Sequence, residues 1–464
     1  MTQDHLEVDL AVIGSGGAAM AAGIAARQAG ARVVLVERGM LGGTCVNVGC
    51  VPSKTLLAAA GARHAALTNP FGGAPTSANG VDLGALVVQK SELVGWLRQH
   101  KYADVADAWG FPVLTGEARF ADKDTLEVDG KPLAARGYVI ATGSQPHTGG
   151  IDGLDAVDYL TSTTAMVLTE VPESLVVIGG GYVGMEQAQL FAHLGARVTV
   201  VGRLAAHAEP ELREVMARVF ADDGITVIAE HAASVRTTGH GLVNVTTSSG
   251  REATGHRLLV ATGRRPDTAA LDLAAAGVAP DARGFITIDE HQRTTNPKVY
   301  AAGDVAGTPQ YVYVAAAAGR VAATNALAPE GIPAASVDYL GLPAVMFTRP
   351  QLASAGLTEE QALARGHACA CRVLGLENVP RALVNHDTRG AVKLVADAGT
   401  GKVLGVHAVA DGAGEMMLAA TYAIKAGMTV DDLADTWAPY LTMAESLRLA
   451  AGLFRYELPT SCCA

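Results

Sequence analysis

Short apolar runs and Gly-rich turns alternate along the first half of the chain. Val8-Asp-Leu-Ala-Val-Ile13 reads as a strand, followed by Gly14-Ser-Gly16-Gly-Ala-Ala19 and an Ala-rich helical stretch to Gln28. Arg32-Val-Val-Leu-Val-Glu37 reads as the next strand. The switch from period 2 to helical spacing across a Gly turn predicts a strand–turn–helix–strand unit. The pattern recurs at Ser174-Leu-Val-Val-Ile178, Gly179-Gly-Gly181-Tyr-Val-Gly184, a helix to about His193, and Arg197-Val-Thr-Val-Val201. The two units stand about 165 residues apart, too far to be the halves of one dinucleotide-binding domain. A hairpin is expected within 120–135. Near-copies Ala141-Thr-Gly-Ser-Gln-Pro146 and Ala261-Thr-Gly-Arg-Arg-Pro266 follow the two units.

After about 335 the pattern changes. Strands are expected near 391–410, then helices over 411–427 and 443–454, as in a separate α+β domain. The fold class expected is α/β: two Rossmann-like dinucleotide-binding domains plus a C-terminal α+β domain. Expected boundaries are 1–150 and 266–335 for the first dinucleotide-binding and central part, 151–265 for the second and 336–458 for the C-terminal domain. A mobile tail is expected at 459–464.

Composition narrows the function. A chain of 464 residues exceeds one ordinary core. Its net charge of −11 argues against a nucleic-acid or anionic-membrane partner. No apolar run is long enough to span a bilayer, and the polar N-terminus lacks a signal-peptide order. A cytoplasmic location is therefore expected. Six cysteines make no disulfide scaffold in a chain this long, and clustered pairs point to catalysis or metal binding.

In each Gly turn, Gly14, Gly16 and Ala19, or Gly179, Gly181 and Gly184, let the backbone approach a pyrophosphate at a helix N-terminus. Glu37 can hold a ribose hydroxyl, which fits the adenosine half of FAD or NAD. In the second unit Gly202 replaces that acid and Arg203 follows, which favours the 2′-phosphate of NADPH.

The most specific segment is Gly42-Gly-Thr-Cys45-Val-Asn-Val-Gly-Cys50-Val-Pro-Ser-Lys54. Cysteines five apart on an ideal helix point away from each other. A bond between them needs a turn, which Gly49 permits, and Pro52 suits a helix starting near Cys50. A helix N-terminus favours a thiolate.

With these motifs and Tyr300-Ala-Ala-Gly-Asp304, the chain resembles the FAD-dependent pyridine nucleotide–disulfide oxidoreductases over essentially its whole length. The resemblance implies that Cys50 is the thiolate beside the flavin and Cys45 the outer interchange thiol. It implies Lys54 near the flavin, paired with Glu186, and Asp304 on the ribityl chain. Tyr182 would cover the nicotinamide pocket. Gly39, Thr44, Ala118 and Val312 would line FAD, and Gly263 would lie in the cofactor-binding set.

The chain departs from the family's disulfide reductases at one point. Those enzymes carry a C-terminal His that shuttles protons, with a Glu five residues on. Here Tyr440 and Glu445 occupy the two places. A phenol, with an ordinary pKa of about 10, is a poor proton shuttle beside an imidazole near 6.5. Reducing a thiolate-bound metal ion needs only electrons at the metal. The vicinal pair Cys462-Cys463 offers soft thiolates for a soft ion.

The stretches Pro439–Met443, Pro380-Arg-Ala-Leu, Asp387–Gly390, Gln310–Gly319 and Ser461-Cys-Cys closely resemble the mercuric ion reductase subfamily. That resemblance implies Hg(II) as substrate, held by Cys45 and Cys50 after delivery by Cys462 and Cys463 of the partner subunit. It implies a homodimer with a shared active site, and Tyr182 and Tyr440 at the transfer site. With no Cys-x-x-Cys domain ahead of the first strand, delivery falls to the tail or to small thiols. Two other readings are a thioredoxin reductase-like disulfide reductase with a C-terminal relay pair and a flavoprotein that only sequesters soft metals. Cys369-Ala-Cys371, on one face of a strand, reads as small strand side chains without an assigned role.

Overall fold

The protein is described from a computed structural model, which covers residues 7–329 and 334–456. The chain packs as two compact units. One comprises Met1–Thr55, Gly84–His147 and Gly263–Asp338, and the other Leu56–Leu83, Thr148–Thr262 and Tyr339–Ala464.

In the first unit a parallel sheet runs Val113–Thr115, Val33–Glu37, Glu7–Ile13, Lys131–Ile140, with Val299–Ala301 beyond it. Leu126–Val128 and Ala118–Phe120 extend Lys131–Ile140 as antiparallel strands, so the expected hairpin is present. Leu10, Val12, Val34 and Leu35 are wholly buried, as continuous apolar strands require when both sheet faces are covered. On one face, helix Gly17–Gln28 packs against helix Val312–Leu327. The small buried residues Ala18, Ala22, Ala318 and Ala322 allow that close approach. Each buried branched side chain contributes about 1.5–3 kcal/mol before conformational entropy is set against it.

The second unit holds two sheets that matter for the site. Four parallel strands run Thr226–Ile228, Arg197–Val201, Ser174–Ile178, Arg257–Val260. Helix Tyr182–Leu194 follows Ser174–Ile178, completing the second strand–turn–helix–strand unit. The C-terminal sheet is antiparallel and five-stranded: Pro343–Met346, Gln351–Gly356, Val403–Ala410, Ala391–Asp397, Cys369–Gly375. Helices Ala413–Lys425 and Glu445–Gly452 pack on it, close to the expected spans. The strands at 343–346 and 351–356 escape sequence reading. They are rich in Ala, Pro, Ser and Gly, which have weak strand preference, and pairing rather than propensity makes them strands.

Candidate functional site

The first Gly turn ends strand Glu7–Ile13 and opens helix Gly17–Gln28. Gly14 has φ +114°, and a Cβ there would lie 2.5 Å from the Ala141 carbonyl oxygen. Ser15 ties the turn to the next strand. Its hydroxyl donates to Glu37 Oε2 at 2.5 Å and accepts from the Gly42 N–H at 3.0 Å. The other Glu37 oxygen accepts from the Gly39 N–H at 2.7 Å. Gly14, Glu37, Arg38, Glu117, Ala118, Thr142 and Asp267 line a cleft. The buried Thr142 hydroxyl in it has no hydrogen-bond partner among the described residues. A backbone cradle, an oriented carboxylate and an orphaned hydroxyl fit the adenosine end of FAD. Ser15 and Thr142 were not singled out from sequence.

The loop out of strand Val33–Glu37 carries Cys45 on the short helix Gly43–Asn47. Helix Cys50–Leu67 begins at the second cysteine, with Pro52 in its first turn. Cys45 is half-buried, Cys50 is exposed, and both are in the thiol form. The Cys45 thiol is pushed well above its ordinary range. The first cause is the hydrogen bond to the Cys50 sulfur, then burial and the charge of Cys50, against a lowering by Lys54. A thiolate on one sulfur therefore disfavours ionisation of the other.

Tyr102 belongs to a π-helical turn, Gln99–Ala103, and its ring stands 3.4 Å from where a Gly42 Cβ would be. Its phenol is pushed up to about 12 by burial and by the charges of Cys45 and Cys50, which puts it beside the dithiol. Thr44 is exposed beside Cys45, and Val312 starts its helix half-exposed.

Asp304 lies in a short helical turn after Val299–Ala301 and accepts from the Ser144 hydroxyl at 2.8 Å. The two near-copied segments meet here, Ser144–Pro146 pairing antiparallel with Arg264–Pro266. Arg264 donates to the Ser144 hydroxyl at 2.7 Å and to its carbonyl at 2.6 Å. Its guanidinium pKa is lowered by burial, while Asp304 and Cys50 pull it up. Arg264 was not singled out from sequence. Gly263, next to it, is exposed with φ +135°.

In the second Gly turn Gly179 has φ +116° and sits against the Ala261 carbonyl, so the backbone geometry of Gly14 is repeated. Gly181 precedes helix Tyr182–Leu194, Tyr182 is exposed at its first position, and Arg203 is exposed at the end of the second strand. With no acid at that strand end, the site fits the phosphorylated ribose of NADPH. The buried Glu186 carboxylate accepts from the Phe347 N–H at 2.9 Å.

Near the C-terminus Tyr440 is half-exposed and Glu445 is buried. Glu445 accepts from Leu441 N–H at 3.2 Å and from Arg448 at 3.2 Å. Cys462 and Cys463 lie outside the described residues. Among the described residues no helix is long and apolar enough to cross a membrane.

The family model "Pyridine nucleotide-disulphide oxidoreductase" matches residues 8–319, and its dimerisation-domain model matches 342–451. A mercuric reductase from Streptomyces lividans is 52% identical, covering 100% of each chain. One from Lysinibacillus sphaericus is 47% identical over 98% of this chain and 84% of its own. Another, from Bacillus cereus, is 46% identical over 100% of this chain and 74% of its own. Among solved structures, the HOCl-induced flavoprotein disulfide reductase RclA from Escherichia coli superposes with a TM-score of 0.85 at 29% identity, covering 96% of this chain and 100% of that one. LpdA from Mycobacterium tuberculosis superposes with a TM-score of 0.83 at 28% identity, over 97% of this chain and 100% of that one. The chain belongs to the pyridine nucleotide-disulphide oxidoreductase family, among its mercuric reductases.

Proposed function

We propose that the protein is an NADPH- and FAD-dependent mercury(II) reductase that converts Hg(II) to Hg(0). The observation that carries this reading is full-length likeness to mercuric reductases, together with the Cys45 and Cys50 thiols and a Tyr440 in the place of a proton-shuttling imidazole. When bound, the flavin relays electron pairs from the nicotinamide to the dithiol site.

The protein's own residues do the rest. Gly14, Gly16, Ala19, Glu37, Gly39, Thr44, Ala118, Asp304 and Val312 hold the flavin nucleotide. Gly179, Gly181, Gly184, Arg203 and Gly263 serve the nicotinamide nucleotide. Cys45 and Cys50 bind Hg(II) as thiolates, releasing their protons to solvent and taking them back when the metal leaves. Lys54 offsets the negative charge that builds on sulfur, and the half-buried Arg264 beside Asp304 is assigned the same part. Two electrons reduce the held ion, and neutral mercury, a poor match for thiolate, departs. The balance is NADPH plus Hg(II) to NADP⁺, a proton and Hg(0).

Cys462 and Cys463 of one subunit capture Hg(II) and pass it by ligand exchange to Cys45 and Cys50 of the other. Tyr182 and Tyr440 line that path, and Glu445 fixes the turn that carries Tyr440. The functional unit is then a homodimer, in line with the matched dimerisation domain. Small thiols carry the ion to the tail. The expected setting is the cytoplasm, where thiols stay reduced.

NADPH oxidation is to be assayed with Hg(II), oxidised glutathione, lipoamide and oxidised thioredoxin. Activity with Hg(II) and release of volatile mercury are expected. Turnover with a disulfide alone would reverse the assignment, and tight binding without volatilisation would mean sequestration.

A further inference from the structure

His64, His193 and Asp223 meet at the ends of three helices within the second unit. His64 lies in the last turn of Cys50–Leu67, His193 in the last turn of Tyr182–Leu194, and Asp223 caps Pro210–Asp222. His193 Nε2 is 3.1 Å from Asp223 Oδ2, and His64 Nε2 is 3.7 Å from Asp223 Oδ1. The imidazoles stack with centroids 3.7 Å apart and planes 15° apart. One donor atom from each residue lies within 4.8 Å of the other two, and among the described residues this is the group of three so placed. The side chains of His193 and Asp223 are 4% and 2% exposed.

We propose that His64, His193 and Asp223 form a site for a borderline divalent transition-metal ion, Zn(II) above all, that ties the three helix ends together. Ligand atoms around tetrahedral zinc stand about 3.4 Å apart, given bonds of about 2.0–2.2 Å. The His193 separation to one Asp223 oxygen is slightly below that value, and the His64 separation to the other oxygen is slightly above it. The stacked rings direct their in-plane lone pairs nearly parallel, so an ion held by both needs each ring to turn about its Cβ–Cγ bond. Two imidazoles and a carboxylate select Zn(II), Cu(II), Ni(II) or Co(II) rather than the soft Hg(II) that thiolates prefer.

The outer groups are already set. Gln189 donates to Asp223 Oδ2 at 2.7 Å, and its own oxygen is held by the Arg349 N–H at 2.6 Å. Arg63 donates to the His193 carbonyl at 2.6 Å. Such groups fix ligand orientation.

Arginines surround the cluster and oppose a dication. Arg389 comes within 3.7 Å of Asp223, but its fork is bound at 2.9 Å to each oxygen of Asp387. Affinity is therefore moderate, on the order of micromolar, weaker than a closed thiolate site.

The test is calorimetric titration of the holoenzyme with Zn(II) after iodoacetamide has blocked the accessible thiols. One ion per chain is expected, with affinity at least tenfold weaker in His193→Gln and in Asp223→Asn. A second measurement needs no variant. Diethylpyrocarbonate labels accessible histidines, and Zn(II) is expected to protect the half-buried His64 in the intact enzyme, read by mass spectrometry. Absence of Zn(II) binding, unchanged affinity in folded variants, or equal labelling of His64 with and without Zn(II) would overturn the site.

Discussion

The backbone N–H of Leu441 donates to the carboxylate of Glu445 at 3.2 Å, closing a turn directly after Tyr440. Leu441 sits at φ +61°, a conformation that costs a non-glycine residue about 1–2 kcal/mol. The buried carboxylate thus holds a strained turn and so fixes the Tyr440 backbone. Glu445→Ala is expected to destabilise the protein by about 1–3 kcal/mol, since the Leu441 and Arg448 donors lose a buried acceptor. Mercury turnover should fall more than in Tyr440→Phe, because the whole turn loosens. Denaturant unfolding and steady-state rates on both variants check this, and equal stability would refute the turn's dependence on Glu445.

Cys50 raises the Cys45 thiol through a hydrogen bond and its charge. Removing it should bring Cys45 ionisation down toward the ordinary range near 8.5. In Cys50→Ala, iodoacetamide is expected to modify Cys45 several-fold faster at pH 8.5 than in wild type. Site-resolved mass spectrometry against pH measures this. An unchanged Cys45 rate would mean that burial, not Cys50, sets the thiol.

Arg264 and Asp304 are linked through Ser144. Ser144→Ala leaves Arg264 and Asp304 3.7 Å apart with no bridge. A loss of about 1–2 kcal/mol is expected, with weaker retention of FAD. Flavin release on dilution is the readout. Undiminished retention would show that Asp304 is positioned without Ser144.

The Gly turns and the cysteine segment are legible because each is local. Gly14 and Gly179 carry the same backbone constraint, and one short segment holds both cysteines. Arg264 and Ser144 are 120 residues apart and meet only through strand pairing. Tyr102 reaches the dithiol from a π-helical turn that hydrophobic spacing does not reveal. His64 and Asp223 belong to helices far apart in sequence, each reading alone as an ordinary surface residue. The Lys393 cluster is hidden for the same reason.

Lys393 is 1% exposed and bonds Glu209, Glu211 and Glu359 at 2.8–3.0 Å. Hydrogen bonds and charge from these carboxylates outweigh burial and raise its pKa, while Lys393 lowers that of Glu359. The raised Lys stabilises the fold below its unfolded pKa of about 10.4, and the benefit fades above it. The lowered Glu359 stabilises above about 4.3, and its benefit fades as pH falls further. Lys393→Met removes the shared cation and should cost about 3–5 kcal/mol at pH 7. The deficit is expected to narrow toward pH 4, where protonation relieves the facing carboxylates. Urea unfolding at several pH values tests the sign, and a deficit constant with pH would contradict it.

Anaerobic single turnover gives the sharpest reading of the thiol route to the metal. Enzyme carrying FAD and reduced thiols is mixed with one equivalent each of NADPH and Hg(II), and evolved mercury vapour is counted against NADPH consumed. One Hg(0) per NADPH is expected from wild type and none from Cys45→Ala or Cys50→Ala. Mercury vapour from both variants at the wild-type yield would show that the reduction bypasses these sulfurs.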